Sequence, residues 1–339
     1  MNNYRQYVGK FVLFKSLLLL IFSLIFLVVS CNNEKSEQYP EWMNYNSSNS
    51  KLPENYVKSI AIDEKGNKWI ATWGGGLVKL TLTLNNSGEA SGSTNWTIYK
   101  TNNSGLPTNS IQSVEIDKKT GDIWIGTSGS GLAMLKFNDS LSESEKHKPE
   151  NVKWIIYNTS NSKLSSDNIE ALAIDKDGNK WIATWGGGLV KLSYFDPQQT
   201  PIAGGNITTT QDTNFMHWTI YNTENSGLPE NWIRSIEIDQ KDNKWLGTGW
   251  GGMVKFSEND PEGQFWHVFN TENSDLPYNL IRSIAIDMND NLWIGTDDGG
   301  LAHFDGNSWQ VYNSSNSELP NDYVGARSEE RRVGKECRS

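Results

Sequence analysis

Tryptophan and tyrosine set in short polar or glycine-rich connections are the residues with the most chemical promise here. A flat ring held in a loop suits sugar rings and other flat, partly apolar ligands. Trp73 and Trp185 lie in identical "TWGGG" stretches, and Trp250 lies in the related "TGWGG". Tyr56, Trp232 and Tyr278 stand in "LPENY", "LPENW" and "LPYN", each just ahead of a short apolar run. A fifth turn of the same kind carries Asp297 and Asp298, which adds acids beside the rings. These eight residues form the candidate ligand-binding set. The alternative is that each ring lies over neighbouring structure and only packs.

Catalytic and metal chemistry finds less support. His147, His217, His267 and His303 occupy unrelated places in the pattern described below, so they predict no metal cluster. Asp175-x-Asp177-Gly178-Asn179 begins like a calcium loop, but its twelfth position is Gly186 where that loop needs a bidentate Glu, so a hairpin turn is the expectation. Glu115 and Glu237 alternate with Ala at one strand position, as a channel-lining acid pair or as plain solvated positions. The glycine runs lack the Lys-Ser/Thr of a phosphate loop, and no Ser–His–Asp or paired-His arrangement is visible. No catalytic residue, metal or cofactor is assigned, and the chain is not expected to be an enzyme. A lyase or hydrolase on a similar scaffold is the enzymatic alternative, and it would need a base with a metal or an acid on one face.

The elements that must carry these residues repeat. "GNKWIATWGGGLVKL" at 66–80 returns unchanged at 178–192. More widely, "SIAIDEKGNKWIAT" (59–72) recurs as "SVEIDKKTGDIWIGT", "ALAIDKDGNKWIAT", "SIEIDQKDNKWLGT" and "SIAIDMNDNLWIGT". Each copy continues into a Gly-rich turn, a short apolar run such as "GGLVKL", and a segment opened by Trp such as "WTIY". The runs are short, β-branched or aromatic, and bounded by Gly, Asn, Asp or Pro, which is strand chemistry. Asp-x-x-Gly-Asn between the first two runs predicts a hairpin. The expected strands of the first copy are Ile60–Asp63, Trp69–Thr72, Leu77–Leu80 and Trp96–Tyr99, and the repeat length varies from 43 to 64 residues.

Such a four-stranded meander has two apolar faces, and neighbouring copies stacked radially would cover both. The prediction is an all-β propeller of four-stranded antiparallel blades. The segment "LPENYVKSIAIDEKGNKWIATWGGGLVKL" (52–80) resembles the repeat of the two-component-regulator propeller family. Five copies cover nearly all of residues 42–312, and the resemblance implies a scaffold more than an activity. Copies one and three share "NSKL" and "TWGGG", while two and four share "NSGLP" and a Glu, which points to duplication of a two-blade unit. By parity, the turns between second and third strands and the crossovers between blades crowd one end, bringing the eight candidate residues to one face. The strand-like "WMNY" (42–45) has no blade of its own, and "NSSNSELPNDYV" (313–324) leads toward a further first strand. Five complete blades of a truncated ring of about six to eight are therefore expected.

The ends read differently. Residues 1–31 begin with Arg5, Lys10 and Lys15, run apolar from Leu17 to Val29, and close on Val28-Val29-Ser30-Cys31, which resembles the lipobox of bacterial lipoproteins. The expectation is a signal peptide with lipid on Cys31, then a linker over 32–41 and the propeller over 42–326. "RSEERRVGKECRS" (327–339) resembles a translated sequencing adapter and is read as a non-native tail. The chain carries −10; residues 1–31 contribute +3 and 327–339 contribute +2, so residues 32–326 stand at −15. So acidic a body disfavours nucleic acid. The functional expectation is a non-catalytic, lipid-anchored propeller at a bacterial membrane, in the periplasm or at the outer surface. It would bind a small molecule or glycan, or a partner protein. The alternative implied by the family resemblance is the extracytoplasmic sensor portion of a two-component histidine kinase.

Overall fold

The computed structural model describes residues 44–84, 90–194 and 216–325. The chain divides into two units, Met1–Tyr45 and Asn46–Ser339, and of the first only Asn44 and Tyr45 are described. Cys31, the signal and linker segments, Trp42 and Met43 of "WMNY", and the 327–339 tail lie outside the described residues.

The second unit is all-β and holds five blades, each a four-stranded antiparallel meander in chain order. Blade 1 comprises β1 (Val57–Ile62), β2 (Lys68–Thr72), β3 (Gly76–Leu84) and β4 (Ala90–Tyr99). Blade 2 comprises β5 (Ile111–Ile116), β6 (Ile123–Thr127), β7 (Leu132–Lys136) and β8 (Lys153–Tyr157). Its β7–β8 connection holds a one-turn helix, α1 (Glu143–Lys146), and a 3₁₀ turn (Pro149–Asn151). Blade 3 comprises β9 (Ile169–Ile174), β10 (Lys180–Thr184), β11 (Leu189–Tyr194) and β12 (Met216–Tyr221). Blade 4 comprises β13 (Ile233–Ile238), β14 (Lys244–Thr248), β15 (Met253–Phe256) and β16 (Trp266–Phe269). Blade 5 comprises β17 (Ile281–Ile286), β18 (Leu292–Thr296), β19 (Leu301–Phe304) and β20 (Trp309–Tyr312).

First strands begin up to three residues earlier than the pattern predicts, and they stop before the Asp. That Asp belongs to the hairpin, where its carboxylate organises the turn. In blade 3, Asp175 accepts the backbone N–H of Asp177 and Asn179, the Asn179 amide, and the Trp181 indole N–H at 2.9 Å. Asp63 and Asp239 repeat all four bonds with Trp69 and Trp245. The calcium-like spacing at 175–179 is thus a hairpin whose carboxylate is occupied by its own turn.

The core lies in the seams between blades. Trp69, Leu77 and Tyr99 of blade 1 pack on Val114, Ile123 and Leu135 of blade 2. Trp124 and Met134 pack on Leu172 and Val190, Trp181 and Leu189 on Ile236 and Phe256, and Trp245 and Met253 on Ile284 and Phe304. Each seam therefore takes its largest ring from a second strand, where Trp69, Trp124 and Trp181 are fully buried. The tryptophans that open the fourth strands are only partly buried, and they contact the last aromatic residue of the preceding blade, as Trp218 does Tyr157. First strands pack side by side, β1 on β5, β5 on β9, β9 on β13 and β13 on β17, which places them innermost. Ile60 on β1 is 44 % exposed, whereas its counterpart Val114 is 1 % exposed, because no described blade covers that face of blade 1.

Candidate functional site

The turn after each second strand is built identically. Thr184 donates its hydroxyl to the Gly188 carbonyl at 2.7 Å, and Thr72, Thr127, Thr248 and Thr296 do the same four residues on. Gly188 has φ of 79°, and a Cβ there would stand 2.2 Å from the Tyr221 carbonyl, so only glycine closes the turn. Crossovers then lock onto these turns. The Asn109 carbonyl accepts Gly74 and Gly76 N–H from the preceding blade at 3.0 Å, while the Asn109 side chain holds Thr101 N–H. Asp167 repeats this lock with Gly129 and Gly131, and Asn231, Asn279 and Asp322 each hold one turn glycine. The expected meeting of turns and crossovers at one end of the blades is therefore observed.

On this frame the candidate side chains separate into groups. Tyr56 and Trp73 flank the Lys58 ammonium, which lies 5.3 Å from one ring centroid and 5.7 Å from the other. Trp185 stacks on Trp232 across the seam of blades 3 and 4, centroids 5.6 Å apart and planes 25° off parallel. Trp232 also carries the Arg234 guanidinium, 4.8 Å from its centroid. It lies flat because Gly249 faces it; a Cβ at 249 would come within 2.4 Å of the ring. Trp185 keeps 56 % of its surface exposed, so one partner of the stacked pair faces solvent. Trp250 stands one residue later in its turn than Trp73 and Trp185, is exposed, and is held through its backbone N–H by the Glu230 carboxylate. Tyr278 occupies the crossover position of Glu54 and Glu230 instead of that of Tyr56 and Trp232, and is half-buried against the Gly299 turn. Asp297 forms an ion pair with Arg282, and Asp298 is exposed at the tip of its turn.

Neither Glu115 nor Glu237 is a channel residue. Each pairs across its sheet with a seam tryptophan, Trp124 or Trp245, and Glu237 is buried. The alternation of the strand turns that position toward the next blade. His147 lies in the β7–β8 connection edge-on to Phe137 at 4.5 Å, and burial lowers it to about 4. His217, His267 and His303 sit on β12, β16 and β19. Among the described residues no group of three His, Cys, Asp or Glu is placed to hold a metal ion.

The strand pattern alone does not single out one further set. Every innermost strand breaks register once, skipping Lys58, Gln112, Glu170, Arg234 or Arg282. These half-buried residues share one position in the repeat, and the visible signal is its changing polar identity inside an otherwise apolar run. Their charges act on one another. Burial lowers Lys58, Arg234 and Arg282 lower it further, and Glu170 opposes them. Burial raises Glu170, against the pull of Arg234 and Lys58. Arg234 is lowered by burial and by Arg282.

Fold and site together define a β-propeller whose turn-and-crossover end gathers stacked indoles around a ring of charged strand residues. Residues 275–298, from the crossover into blade 5 to the turn after its second strand, match the family model described as Two component regulator propeller. No curated protein matches the chain. Among solved structures, the fold is similar to the extracellular domain of BT3049 from B. thetaiotaomicron, described as a hybrid two component system. That likeness has 23 % identity and a TM-score of 0.57, covering 83 % of this chain and 32 % of that one. It is also similar to PorZ, a bacterial surface component of the type-IX secretion system of Porphyromonas gingivalis. There the identity is 14 % and the TM-score 0.50, over 80 % of this chain and 35 % of that one. The chain thus spans about a third of the length of the solved structures it matches.

Proposed function

We propose that the chain is a non-catalytic, extracytoplasmic ligand-binding propeller, held at a bacterial membrane through lipid on Cys31. Its ligand is a glycan or another flat small molecule, with a partner protein as the other kind of occupant. The observation that carries this reading is the Trp185–Trp232 stack: the exposed Trp185 indole rests on Trp232, and Trp232 in turn lies against the Arg234 guanidinium. A sugar ring laid on such a platform exchanges water for C–H contacts with an aromatic face, at little entropic cost because the platform is already fixed. Tyr56, Trp73 and Trp250 extend the aromatic surface at the same end of the blades.

A glycan array probed with the chain, alongside Trp185→Ala and Trp73→Ala variants, tests this reading. Binding lost in either variant supports it, and unchanged binding in both removes the aromatic face from consideration. Radiolabelled palmitate incorporated by the chain and absent from Cys31→Ser tests the anchor. The second reading, a sensor portion of a two-component system, draws on the matched repeat and on the description of BT3049. The full coding sequence of the gene tests it: a membrane-spanning segment and a kinase domain in the same reading frame support it, and a reading frame that encodes neither removes it.

A further inference from the structure

Regular pairing leaves a first-strand residue two choices, the seam on one side of its sheet or the seam on the other. The register break adds a third. A β-bulge leaves one residue unpaired and re-aims its side chain. Here the break falls at the same place in all five innermost strands, immediately after a seam residue (Ile111, Ile169, Ile233 and Ile281 in blades 2 to 5) and immediately before a Ser or Ala. The five skipped side chains, Lys58, Gln112, Glu170, Arg234 and Arg282, therefore stand at one height around the inner wall. Lys58 of blade 1 lies within electrostatic reach of Glu170 of blade 3, Arg234 of blade 4 and Arg282 of blade 5, as expected of side chains facing one opening.

The balance of this set runs against the rest of the molecule. Residues 32–326 stand at −15, yet the skipped positions of the five described blades carry three cations and one carboxylate. Asp297 neutralises Arg282 directly. Glu170 is left to serve both Lys58 and Arg234. The Arg234 Nε and the Gln112 Oε1 are buried with no hydrogen-bond partner among the described residues. A buried polar group without a partner is costly, so one such donor and one such acceptor on the same wall favour an occupant that can serve both.

We propose that this inner wall takes an oxyanion borne on a sugar ring, the carboxylate of a uronic acid or a sulfate ester. Arg234 and Lys58 are its charge partners, Gln112 accepts a ligand hydroxyl, and the edge of the Trp185–Trp232 pair, whose Trp232 ring lies against Arg234, borders the sugar ring. The proposal rests on the reading of this end as a glycan-binding face, and narrows the glycan to an acidic one. A planar guanidinium matches a carboxylate or sulfate in two bonds, and the half-buried setting strengthens both.

The test is titration of the chain with three probes: a galacturonate tetramer, the same tetramer fully methyl-esterified, and a sulfated galactose tetramer. The acidic tetramers should bind about tenfold to a hundredfold more tightly than the ester, a margin that Arg234→Gln and Lys58→Met each reduce by about tenfold or more. Arg234→Lys should restore part of it, and Glu170→Gln should enlarge it. Which acidic tetramer binds separates carboxylate from sulfate. Thermal unfolding at the parent temperature shows that Arg234→Gln still folds. Equal binding of acid and ester, with Arg234→Gln neutral and Trp185→Ala still damaging, overturns the oxyanion and leaves the aromatic face standing. Loss in Arg234→Gln with Trp185→Ala neutral does the reverse. Failure of both acidic tetramers to bind overturns the proposal outright.

Discussion

Replacing Trp181 and Trp124 by Phe, one at a time, isolates a single hydrogen bond in two otherwise matched seams. Both indoles are fully buried, and each stacks on the tyrosine that ends its own blade: Trp181 on Tyr221 at 6.1 Å and 17°, Trp124 on Tyr157 at 6.2 Å and 13°. Each also has a lysine ammonium about its ring, Lys191 and Lys244 at 5.0 and 4.6 Å for Trp181 and Lys180 at 5.0 Å for Trp124. Beside the second lysine and the edge contact with Phe256 at Trp181, what differs is the turn. Asp175 lies six residues before Trp181 and accepts its indole N–H at 2.9 Å. The blade 2 turn carries one more residue, Asp117 turns instead to Lys180, and the Trp124 Nε1 has no partner among the described residues. Loss of ring volume costs about 1–3 kcal/mol in either variant and cancels in the comparison. The remainder is one hydrogen bond to a carboxylate, about 1.5–3 kcal/mol. Trp181→Phe should therefore be less stable than Trp124→Phe by that amount in urea unfolding, a difference of about 3–12 °C in melting temperature. Burial alone would raise the Asp175 carboxyl, but its bonds from Trp181 and Asn179 hold it below the usual range. Its contribution is thus present at neutral pH and lost as acid protonates it, and Trp181→Phe should flatten that acid limb. Stabilities equal within about 0.5 kcal/mol would refute the assignment of the bond as a stabilising feature of the turn.

Three further outcomes are expected. Gly249→Ala forces Trp232 off its turn, so it should cost about 1–3 kcal/mol, weaken the near-ultraviolet circular dichroism of the Trp185–Trp232 pair, and lower ligand binding with it. Asp117→Ala strands the buried Lys180 ammonium now 2.6 Å away, a loss of about 3–5 kcal/mol, and the double variant Asp117→Ala/Lys180→Met should recover much of it in a double-mutant cycle. His147 is held at about 4 by burial, against an ordinary 6.5, so the unfolded chain takes up a proton that the folded one refuses between these values. Stability should accordingly fall by about 1–3 kcal/mol as pH drops through that window, and a His147→Gln variant titrated in parallel should show a shallower fall.

The scaffold is legible in the sequence because seam packing repeats. Trp69, Trp124, Trp181 and Trp245 recur with their Thr and Gly neighbours since every seam needs the same ring and every turn the same glycine. The meeting of crossovers and turns follows from strand parity alone, and it places Trp185 and Trp232 at one end before any coordinates are known. Their stacking does not follow, because it depends on Gly249 leaving room at a turn position filled by Trp or Ser in the first three blades and by Asp in blade 5. Tyr278 shows the opposite limit: it belongs to a crossover, yet an offset of two residues takes it to the place of Glu230. Glu115 and Glu237 look like channel residues because they lie on the innermost strands. Alternation then turns them into the seam, since innermost describes the strand and not each side chain upon it.

The register breaks explain how one repeated sentence carries a varied message. A residue in a regular first strand is fixed by the seam it faces, so Ile60, Val114, Leu172, Ile236 and Ile284 are interchangeable apolar residues. The skipped residue answers to neither seam and reads Lys, Gln, Glu, Arg and Arg in the same five blades. Changing it alters the electrostatics of the opening while the flanking positions stay a β-branched aliphatic residue before it and Ser or Ala after it in all five copies. Charge can therefore vary at this position without changing the residues that face the two seams. The aromatic residues follow the same logic one step outward: Trp73, Trp185 and Trp250 sit where the turn has satisfied its backbone through Thr and Gly and leaves one side chain unclaimed. Duplication of such a unit repeats both positions in every blade, and at the seam of blades 3 and 4 they come together, with Trp185 stacked on Trp232 and Arg234 over the Trp232 ring.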